Sequence, residues 1–477
     1  MSSTTKLSAR DRIATLLDDS SFVEIGALVT KRNTDFNLAQ TDAPSDGVIT
    51  GYGLIDGSLV YVYSQDAEVL NGTMGEMHAK KIVSMYDLAL KVGAPVIGLV
   101  DCAGMRLQEA TDALAAFGNV YLKQSMASGV IPQITAVFGT CGGGCAVSAA
   151  MSDFTFMPEE GAKLFVNSPN AVEGNFVGKC DTSAAKFQAE VGVVDVVKED
   201  EAAVLASIRT LVSYLPSNNE TDCTVDCADD LNRATVAFAE EVADPAVALA
   251  DIADNGEFFE VKADYAKEMV TGFIRLNGAT VGAVANRTAK FDENGKAAEK
   301  FEAVLTTKGC YKAESFVEFC DAFGIPVLTL TNVTGYAATM CEEKSVAIAA
   351  AKLTNAFATA TVPKVNIVTK NAMGSAYITM NSKHIGADMV FALEDAKIGM
   401  MDSKLAAQIM YAGEAEAVRN EKAAEYDAVQ SSAVAAAKRG YVDSIISADA
   451  VRQQLVYTFE MLYTKREARP SKKHGTV

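Results

Sequence analysis

Three consecutive glycines, Gly142 to Gly144, follow a run of apolar β-branched residues and precede an alanine-rich run. The first run favours a buried strand and the second a helix, so the glycines fall where a strand ends and a helix begins. The first backbone N–H groups of a helix have no partner within it, and the helix dipole adds partial positive charge there. Because glycine has no Cβ, a substrate carbonyl can approach these groups closely. The stretch therefore predicts a backbone oxyanion hole.

Two other interpretations of the glycines stay open at this point. Glycines at a helix start also bind dinucleotides and phosphates, but CGGGC lacks the GxGxxG spacing and no Lys-Ser or Lys-Thr pair follows it. Glycines also let a helix pack closely on a strand, and this packing role is the stronger alternative. We favour the oxyanion hole, in which one donor stabilises a transition state by about 2.7–4 kcal/mol.

The chain repeats one pattern at a constant offset of 231 residues. The segments GAPVIGLV and IPQITAVF in the first half match GIPVLTLT and VPKVNIVT in the second. Five residue pairs keep the offset: Gly93 with Gly324, Pro95 with Pro326, Gly104 with Gly335, Pro132 with Pro363, and Gly143 with Gly374. The repeat predicts two copies of one domain of about 230 residues. The polar stretch 215–230 is the natural junction, which gives domains at 1–230 and 231–477.

The repeat also predicts a second oxyanion hole. Residues 373–376, MGSA, stand where the triple glycine stands in the first half. Within each copy, short runs rich in valine, isoleucine and leucine alternate with helix-length segments, which predicts an α/β fold with a buried, largely parallel sheet. Ligands bind at the carboxyl ends of the strands in such sheets, where both turns are expected. Two holes imply two carbonyl groups that become oxyanions.

Side chains that commonly act as catalytic bases are scarce. The chain has three histidines, His78, His384 and His474, and none belongs to a catalytic triad or a metal-binding pattern. The nine cysteines are scattered, and the lone CxxxC of Cys223 and Cys227 has no second pair, so free thiols are expected rather than zinc. No metal is predicted. The substrates themselves are therefore expected to supply the acid–base chemistry.

Composition argues against several classes of function. Aspartate and glutamate number 61 against 42 lysines and arginines, and a net charge of −19 disfavours binding to nucleic acids or anionic membranes. The first residues lack the apolar core of a secretory signal, and no apolar run approaches the roughly 18 residues that cross a bilayer, so a cytoplasmic location is expected. Lys80, Lys81, Lys472 and Lys473 are candidates for binding phosphates, although such lysines are usually only solvated.

Long stretches of both halves carry a family resemblance. In the first half they are GEMHAKKIVSMYDLALKVGAPVIGLVDCAGMRLQEATDALAAFG and ASGVIPQITAVFGTCGGG, and in the second CDAFGIPVLTLTNVTGY and ATVPKVNIVTKNAMGSAYITMNSKHIGADMVFA. They resemble the biotin-dependent acyl-CoA carboxyltransferases. The resemblance implies two tandem, duplicated crotonase-like (ClpP/crotonase) α/β domains, with acyl-CoA bound by 1–230 and biotin by 231–477. It also implies a hexamer whose active sites lie between the first domain of one subunit and the second domain of its neighbour.

The resemblance implies roles for residues at both turns. By position, Gly143 and Gly144 bind the oxyanion of the thioester, and Ser375 and Ala376 bind that of biotin. The other substrate-binding positions that it implies are Gly104, Met105, Gly374, Tyr377 and Ile378. Ile378 stands where the family selects the length of the acyl chain.

The implied reaction moves a carboxyl group between protein-bound biotin and a short-chain acyl-CoA, either propionyl-/methylmalonyl-CoA or acetyl-/malonyl-CoA. Biotin itself then acts as the base, in agreement with the scarcity of catalytic histidines. No lysine lies in an Ala-Met-Lys-Met context and no ATP-binding loop is evident. Biotin is therefore expected on a separate protein. The implied partners are a biotin carboxyl carrier protein and either a biotin carboxylase or a membrane decarboxylase subunit.

Alternatives within this resemblance stay open. The chain serves either a carboxylase or, with the transfer reversed, a sodium-pumping methylmalonyl-CoA decarboxylase as its alpha subunit. The stretch MNSKHIGADMVFA leans slightly towards the decarboxylase type. Departures from the family pattern lie in the second half, where Ser375 replaces a usual glycine and stretches 332–352 and 398–418 lack usual motifs. They leave a non-catalytic structural paralogue as a rival. A hydratase or isomerase is disfavoured because it would need a carboxylate base.

Overall fold

A largely parallel sheet forms the centre of each half of the chain. The computed structural model describes residues 6–33, 42–173 and 181–470. No helix in these ranges is both long and apolar enough to cross a membrane.

The chain divides into two units, Met1–Cys223 and Thr224–Val477. This division falls a few residues before the boundary expected at 230/231. Thr224 forms a β-bridge with Ala279, and the Val225 N–H donates to the Gly278 carbonyl at 3.0 Å. These bonds attach the segment that begins at Thr224 to the second unit.

The first unit is built on an eight-stranded sheet. Its strands are β1 (Val23–Ile25), β2 (Val48–Ile55), β3 (Ser58–Gln65), β4 (Val96–Cys102), β5 (Gln133–Gly142), β6 (Phe154–Pro158), β7 (Lys163–Phe165) and β8 (Val196–Lys198). Its helices are α1 (Ala9–Leu16), α2 (Glu76–Val92), α3 (Ala110–Ala127), α4 (Gly144–Ala150), α5 (Ala185–Glu190) and α6 (Glu201–Tyr214). The strand order is β1-β2-β3-β4-β5-β6-β8, and β7 pairs with the end of β5.

The second unit contains a sheet of the same size and, in addition, two separate pairs of strands. Its strands are β9 (Phe259–Val261), β10 (Met269–Leu276), β11 (Ala279–Asn286), β12 (Ala289–Phe291), β13 (Ala297–Lys300), β14 (Val304–Leu305), β15 (Val327–Val333), β16 (Gly335–Tyr336), β17 (Lys364–Met373), β18 (Met389–Leu393), β19 (Lys397–Gly399) and β20 (Ser444–Ile446). Its helices are α7 (Phe238–Glu241), α8 (Pro245–Ile252), α9 (Thr307–Ala322), α10 (Met340–Glu343), α11 (Val346–Thr359), α12 (Gly374–Thr379), α13 (Ser403–Met410), α14 (Glu416–Gln430), α15 (Ala433–Ala437) and α16 (Val451–Leu462).

The two sheets correspond strand for strand. The second has the order β9-β10-β11-β15-β17-β18-β20, and β19 pairs with the end of β17 as β7 does with β5. In both, the first three strands are antiparallel neighbours and the following pairs are parallel. The predicted duplication and the predicted α/β fold with a largely parallel sheet are therefore both confirmed.

Local sequence explains why these elements form where they do. Every residue of β4 is buried, as expected for an apolar strand in the middle of a sheet that is covered on both faces. Helix α2 ends at Gly93, whose φ of 72° gives the left-handed cap that glycine favours. The buried residues Ala79, Ile82, Tyr86 and Ala89 recur every three or four positions along α2, so one face of this helix packs on the core.

Candidate active site

The first predicted turn joins β5 to α4. Gly143 has φ 60° and ψ −123°, a backbone conformation that residues with a side chain rarely adopt. A Cβ on Gly143 would meet open space, so conformation rather than crowding requires glycine there. At Gly144 the reason is crowding, because a Cβ would lie 2.8 Å from the Tyr121 hydroxyl and 3.0 Å from the Phe117 ring.

The backbone N–H groups of this turn differ in their partners. The sequence predicts Gly143 as a donor to the thioester, but its N–H donates to the Phe165 carbonyl at 2.9 Å. The pairing of β7 with β5 brings that carbonyl to the turn. Within the described ranges, the N–H groups of Gly144 and Cys145 have no acceptor. The available pair is therefore one residue further along than the sequence predicts.

The loop that follows β4 lies beside this turn. A Cβ on Gly104 would be 3.5 Å from the Gly142 carbonyl oxygen, so the two backbones nearly touch. Gly104 accepts a hydrogen bond from the Met74 N–H at 2.9 Å, and the Arg106 N–H donates to Met74 at 3.0 Å. The Met105 N–H between them has no acceptor in the part of the chain that the structure describes. The structure thus places Gly104 and Met105 beside the first turn, and the Met105 N–H is a further donor without an acceptor among the described residues.

A buried ion cluster holds this loop. The Arg106 guanidinium is 1% exposed and contacts Asp46 Oδ1 at 2.6 Å, Glu109 Oε1 at 2.9 Å and the Thr73 carbonyl at 2.7 Å. Burial raises the pKa of Asp46, while the positive charge of Arg106 opposes that shift. Because these partners come from three different segments, the cluster fixes the position of the loop that carries Met105.

His78 belongs to the same buried network and is neutral. Its Nδ1 lies 2.9 Å from the Asp46 carbonyl oxygen and its Nε2 lies 3.1 Å from Gln65 Nε2. The carbonyl can only accept, so Nδ1 carries the proton and Nε2 accepts from the Gln65 amide. Burial, reinforced by the nearby Arg106 charge, lowers the pKa of His78 to about 3. His78 therefore has a structural role in the first unit.

The second predicted turn joins β17 to α12 in the same way. Gly374 has φ 61°, and the N–H groups of Ser375 and Ala376 have no acceptor among the described residues. At the offset of 231 residues, this pair is equivalent to Gly144 and Cys145. The two halves therefore present equivalent pairs of unpaired N–H groups at the starts of equivalent helices.

Ser375 fits its turn because the neighbouring helix is less crowded there. Phe117 and Tyr121, which crowd Gly144, are replaced at the equivalent positions by Ile348 and Lys352. Ile348 is 49% exposed, and the Lys352 ammonium lies 5.9 Å from the centre of the Tyr311 ring. The Ser375 side chain is exposed, so this turn accommodates a serine where the first unit has Gly144.

Tyr377 and Ile378, which follow this turn, differ in exposure. Tyr377 is 3% exposed, and its ring packs edge-on against His384 with 5.8 Å between centroids. Burial raises the pKa of Tyr377 to about 12, and its hydroxyl has no hydrogen-bond partner in the part of the chain that the structure describes. Ile378 is 38% exposed. Of this predicted pair, only Ile378 lies at the surface beside the turn.

Of the lysines considered for phosphate binding, Lys80 and Lys81 lie within the described residues, and they differ in exposure. Lys80 is exposed, whereas Lys81 is 5% exposed and donates to the Ser45 and Val48 carbonyls. Burial lowers the pKa of Lys81 to about 8. The ammonium of Lys81 is thus bonded inside the first unit and is not available to a phosphate. Lys472 and Lys473 lie outside the described residues, as does His474.

Two buried thiols beside the first turn escaped the sequence analysis. Cys102 ends β4 and Cys145 is the second residue of α4, and they are 0% and 4% exposed. Their proximity follows from the pairing of β4 with β5, in which Cys102 lies opposite Cys141. The sequence signal that could have found these thiols is a cysteine close to a glycine at the ends of two predicted strands. Within the described ranges, no group of three His, Cys, Asp or Glu side chains is arranged to hold a metal ion.

The second unit also contains a cavity of about 430 Å³ at the carboxyl ends of β15, β17, β18 and β20. Asn332, Thr369 and Leu393 form its buried floor. At the position of Thr369, the first unit has Phe138, whose ring lies 4.9 Å from the Arg12 guanidinium. The cavity in the second unit is open to solvent, because Glu240, Lys370 and Glu394 on its lining are exposed. The residues of the Gly374 turn do not line the cavity.

Comparison with known proteins identifies relatives along the whole chain. The family model for the carboxyl transferase domain matches residues 2–477. The methylmalonyl-CoA decarboxylase subunit alpha of Propionigenium modestum is 38% identical over 495 residues, which cover 99% of this chain and 93% of that protein. The mitochondrial propionyl-CoA carboxylase beta chain of Homo sapiens is also 38% identical, over 491 residues that cover 99% of this chain and 88% of that protein.

Solved structures match the fold equally well. The hexameric transcarboxylase 12S, solved with hydrolysed methylmalonyl-coenzyme A bound, superimposes with a TM-score of 0.91 at 34% identity and covers 98% of this chain and 92% of that one. The predicted fold, two crotonase-like domains in tandem, is confirmed by this match together with the duplicated sheets.

Proposed function

The chain belongs to the carboxyl transferase family and is an acyl-CoA carboxyltransferase, and on that premise we propose that it transfers a carboxyl group between methylmalonyl-CoA and biotin held on a separate carrier protein. The observation that carries this proposal is the pair of equivalent helix starts, each with two N–H groups that lack an acceptor among the described residues. In this proposal, each helix start binds one of the two reactants.

The first helix start is suited to the thioester. We assign the N–H groups of Gly144 and Cys145, with that of Met105 from the adjacent loop, as donors to the thioester oxygen. This oxygen gains negative charge when the carbon next to the carbonyl becomes an enolate, and donors fixed before the reaction stabilise that charge most effectively. Gly143 keeps the turn in its conformation instead of donating, because its N–H is bonded to Phe165.

The second helix start is suited to biotin. The N–H groups of Ser375 and Ala376 lack an acceptor among the described residues, and Ser375 is exposed, which fits a ureido carbonyl oxygen as acceptor. When bound there, biotin carries the carboxyl group and supplies the nitrogen that accepts the proton from the acyl group. The chain itself binds and orients both reactants and stabilises negative charge on their oxygens. Ile378, exposed beside the turn, is proposed to contact the acyl chain.

The choice of substrate rests on the relatives. Methylmalonyl-CoA was bound in the transcarboxylase 12S structure, and the names of the decarboxylase and carboxylase relatives refer to methylmalonyl-CoA and propionyl-CoA. The decarboxylase from Propionigenium modestum and the human carboxylase chain are equally similar to this chain, at 38% identity. We therefore propose one transfer reaction whose direction depends on the partner subunits: a carrier protein with either a biotin carboxylase or a membrane decarboxylase subunit. A hexamer, as in transcarboxylase 12S, is the proposed assembly.

The test is a transfer assay with free biotin as acceptor and malonyl-, methylmalonyl- or glutaconyl-CoA as donor. Methylmalonyl-CoA should yield carboxybiotin and propionyl-CoA in equal amounts, at a higher kcat/KM than the other two donors. Faster transfer from malonyl- or glutaconyl-CoA would change the proposed substrate. Absence of transfer from all three by folded protein would favour the non-catalytic paralogue.

A further inference from the structure

We propose that Tyr121 is a positioning residue that orients and strengthens one backbone donor of the first site, the Cys145 N–H. The inference rests on the proposed function, because this N–H is one of the donors assigned to the thioester oxygen. Tyr121 lies on α3, and its hydroxyl donates to the Gly144 carbonyl at 2.6 Å. The Gly144 carbonyl and the Cys145 N–H belong to the same peptide unit, so a bond to one end of this unit acts on the other.

The bond has two effects on the Cys145 N–H. A peptide unit is planar, so holding its carbonyl oxygen also holds the direction of its N–H. Hydrogen bonds in a chain polarise one another, so a carbonyl that accepts from a hydroxyl makes the N–H of its peptide unit a stronger donor. The thioester oxygen gains its charge in the transition state, where a stronger and better-oriented donor has its largest effect.

The surroundings of the tyrosine place its hydroxyl at this carbonyl. Phe117 lies one helical turn before Tyr121 on α3, and the two rings pack edge-on with 6.1 Å between centroids. A Cβ at position 144 would lie 2.8 Å from the hydroxyl, so a glycine there lets the hydroxyl reach the carbonyl. Burial raises the pKa of Tyr121, and the nearby thiols of Cys145 and Cys141 add to this shift. The phenol therefore keeps the proton that it donates.

A second polar link joins the same two helices further along α4. Ser148 Oγ donates to Gln124 Oε1 at 2.8 Å, and Gln124 Nε2 donates to the Ser148 carbonyl at 3.0 Å. Both side chains are buried. This link anchors α4 to α3 without touching the peptide unit that presents the Cys145 N–H. The two links thus allow the anchoring of the helix to be separated from the effect on the donor.

The second unit lacks the equivalent of the tyrosine bond. At the offset of 231 residues, Tyr121 corresponds to Lys352 and Gly144 to Ser375. Within the described ranges, Lys352 donates no hydrogen bond to the Ser375 carbonyl, and its ammonium lies 5.9 Å from the centre of the Tyr311 ring. The bond from a side chain to the helix start is therefore confined to the site assigned to the thioester.

The experiment compares Tyr121→Phe with Ser148→Ala in the assembled protein. The first variant loses only the hydroxyl that bonds to Gly144, and the second loses a hydrogen bond between the same two helices. Transfer from methylmalonyl-CoA to free biotin gives kcat and KM, and thermal unfolding reports the fold. We expect Tyr121→Phe to lower kcat by about threefold to tenfold, the effect of one hydrogen bond, with KM within about twofold. Ser148→Ala should keep a kcat close to that of the natural protein.

A spectroscopic measurement reports the donor directly. Propionyl-CoA labelled with ¹³C at the thioester carbonyl gives an infrared band that moves to lower wavenumber when its oxygen accepts stronger hydrogen bonds. In Tyr121→Phe the band of the bound thioester should move to higher wavenumber, because the Cys145 N–H becomes a weaker donor. In Ser148→Ala the band should stay where it is in the natural protein.

Three outcomes would overturn the inference. These are an unchanged kcat in folded Tyr121→Phe, an equal loss of kcat in Ser148→Ala, and a carbonyl band that does not respond to Tyr121→Phe. The second outcome would assign the effect to anchoring of the helix alone. Failure of the proposed function would look different, because the natural protein would then transfer no carboxyl group.

Discussion

At the scale of single residues, the proposed chemistry depends on backbone N–H groups. A proline removes the N–H group of the position that it occupies. Ser375 lies in the first turn of α12, where proline is tolerated, and its side chain is exposed. We expect Ser375→Pro to lower kcat by about 10²–10³, the usual effect of losing one oxyanion donor.

The matched control is Ser375→Ala, which keeps the N–H and loses only the hydroxyl. It should transfer carboxyl groups at close to the normal rate. The measurement is kcat with methylmalonyl-CoA and free biotin, alongside thermal unfolding. Equal losses in the two variants would assign the role to the hydroxyl instead of the backbone.

Gly143 contributes its conformation, and this too can be measured. An alanine there must adopt φ 60° and ψ −123°, which costs about 1–3 kcal/mol. We expect Gly143→Ala to lower the free energy of unfolding by that amount in denaturant titrations. The control is Gly118→Ala within α3, where a Cβ also meets open space but the backbone is helical. It should raise stability by roughly 0.5–1 kcal/mol, and a loss as large as that of Gly143→Ala would contradict the explanation.

Both turns could be predicted from the sequence, and so could the pair of N–H groups without acceptors among the described residues at the second turn, Ser375 and Ala376, but not the pair at the first turn. Glycines between an apolar run and an alanine-rich run are visible in the sequence, and so is the equivalent turn at Gly374. Which N–H remains unpaired at the first turn depends on Phe165, whose strand returns to β5 only in the folded structure. Local pattern therefore predicted where the turn lies, while a non-local strand pairing determines which of its N–H groups already has an acceptor.

At the scale of elements, the buried network that links α2 to the Met105 loop predicts sensitivity to acid. His78 has an ordinary pKa of 6.5 when unfolded and about 3 when folded. The unfolded chain therefore takes up a proton first as the pH falls. The stability that neutral His78 provides is complete above about pH 6.5 and is lost progressively towards pH 3.

The variant His78→Gln should remove this contribution to the pH dependence. Its free energy of unfolding should be lower than that of the natural protein at pH 7, and the difference should shrink as the pH approaches 4. Urea titrations at several pH values would measure both curves. A constant difference across this range would contradict the burial of a neutral histidine.

Among the elements, the repeat was the most informative part of the sequence. The constant offset from Gly93/Gly324 to Gly143/Gly374 predicts that β4 is equivalent to β15 and that β5 is equivalent to β17. The offset could not anticipate elements without a counterpart, such as the β12–β13 hairpin in the second unit. The offset also could not predict that Lys81 is buried against the carbonyls of Ser45 and Val48. Those residues lie 36 and 33 positions before Lys81, and only the fold brings them together.

At the scale of the whole molecule, the proposed hexamer has a testable consequence. If each active site combines the first half of one subunit with the second half of another, two inactive variants can complement each other. Gly144→Pro affects one half and Ser375→Pro the other. Random co-assembly leaves about a quarter of the inter-subunit sites with both halves intact.

Co-expressed Gly144→Pro and Ser375→Pro subunits should therefore regain about a quarter of normal transfer activity. Each variant alone should remain nearly inactive. The assay is carboxyl transfer by purified mixed assemblies, with the oligomeric state checked by light scattering. If mixed hexamers stay inactive, the halves of one site belong to a single chain.

The difference between Phe138 and Thr369 has a consequence for how the two copies tolerate substitution. Phe138 is 1% exposed and lies against Arg12, so its replacement by threonine would remove a buried ring and cost the first copy about 3–5 kcal/mol of folding free energy. Thr369 lines a cavity that is open to solvent, so a ring grafted there meets space and not packed side chains. Two copies of one architecture, joined in a single polypeptide, thus respond unequally when the same two residues are exchanged.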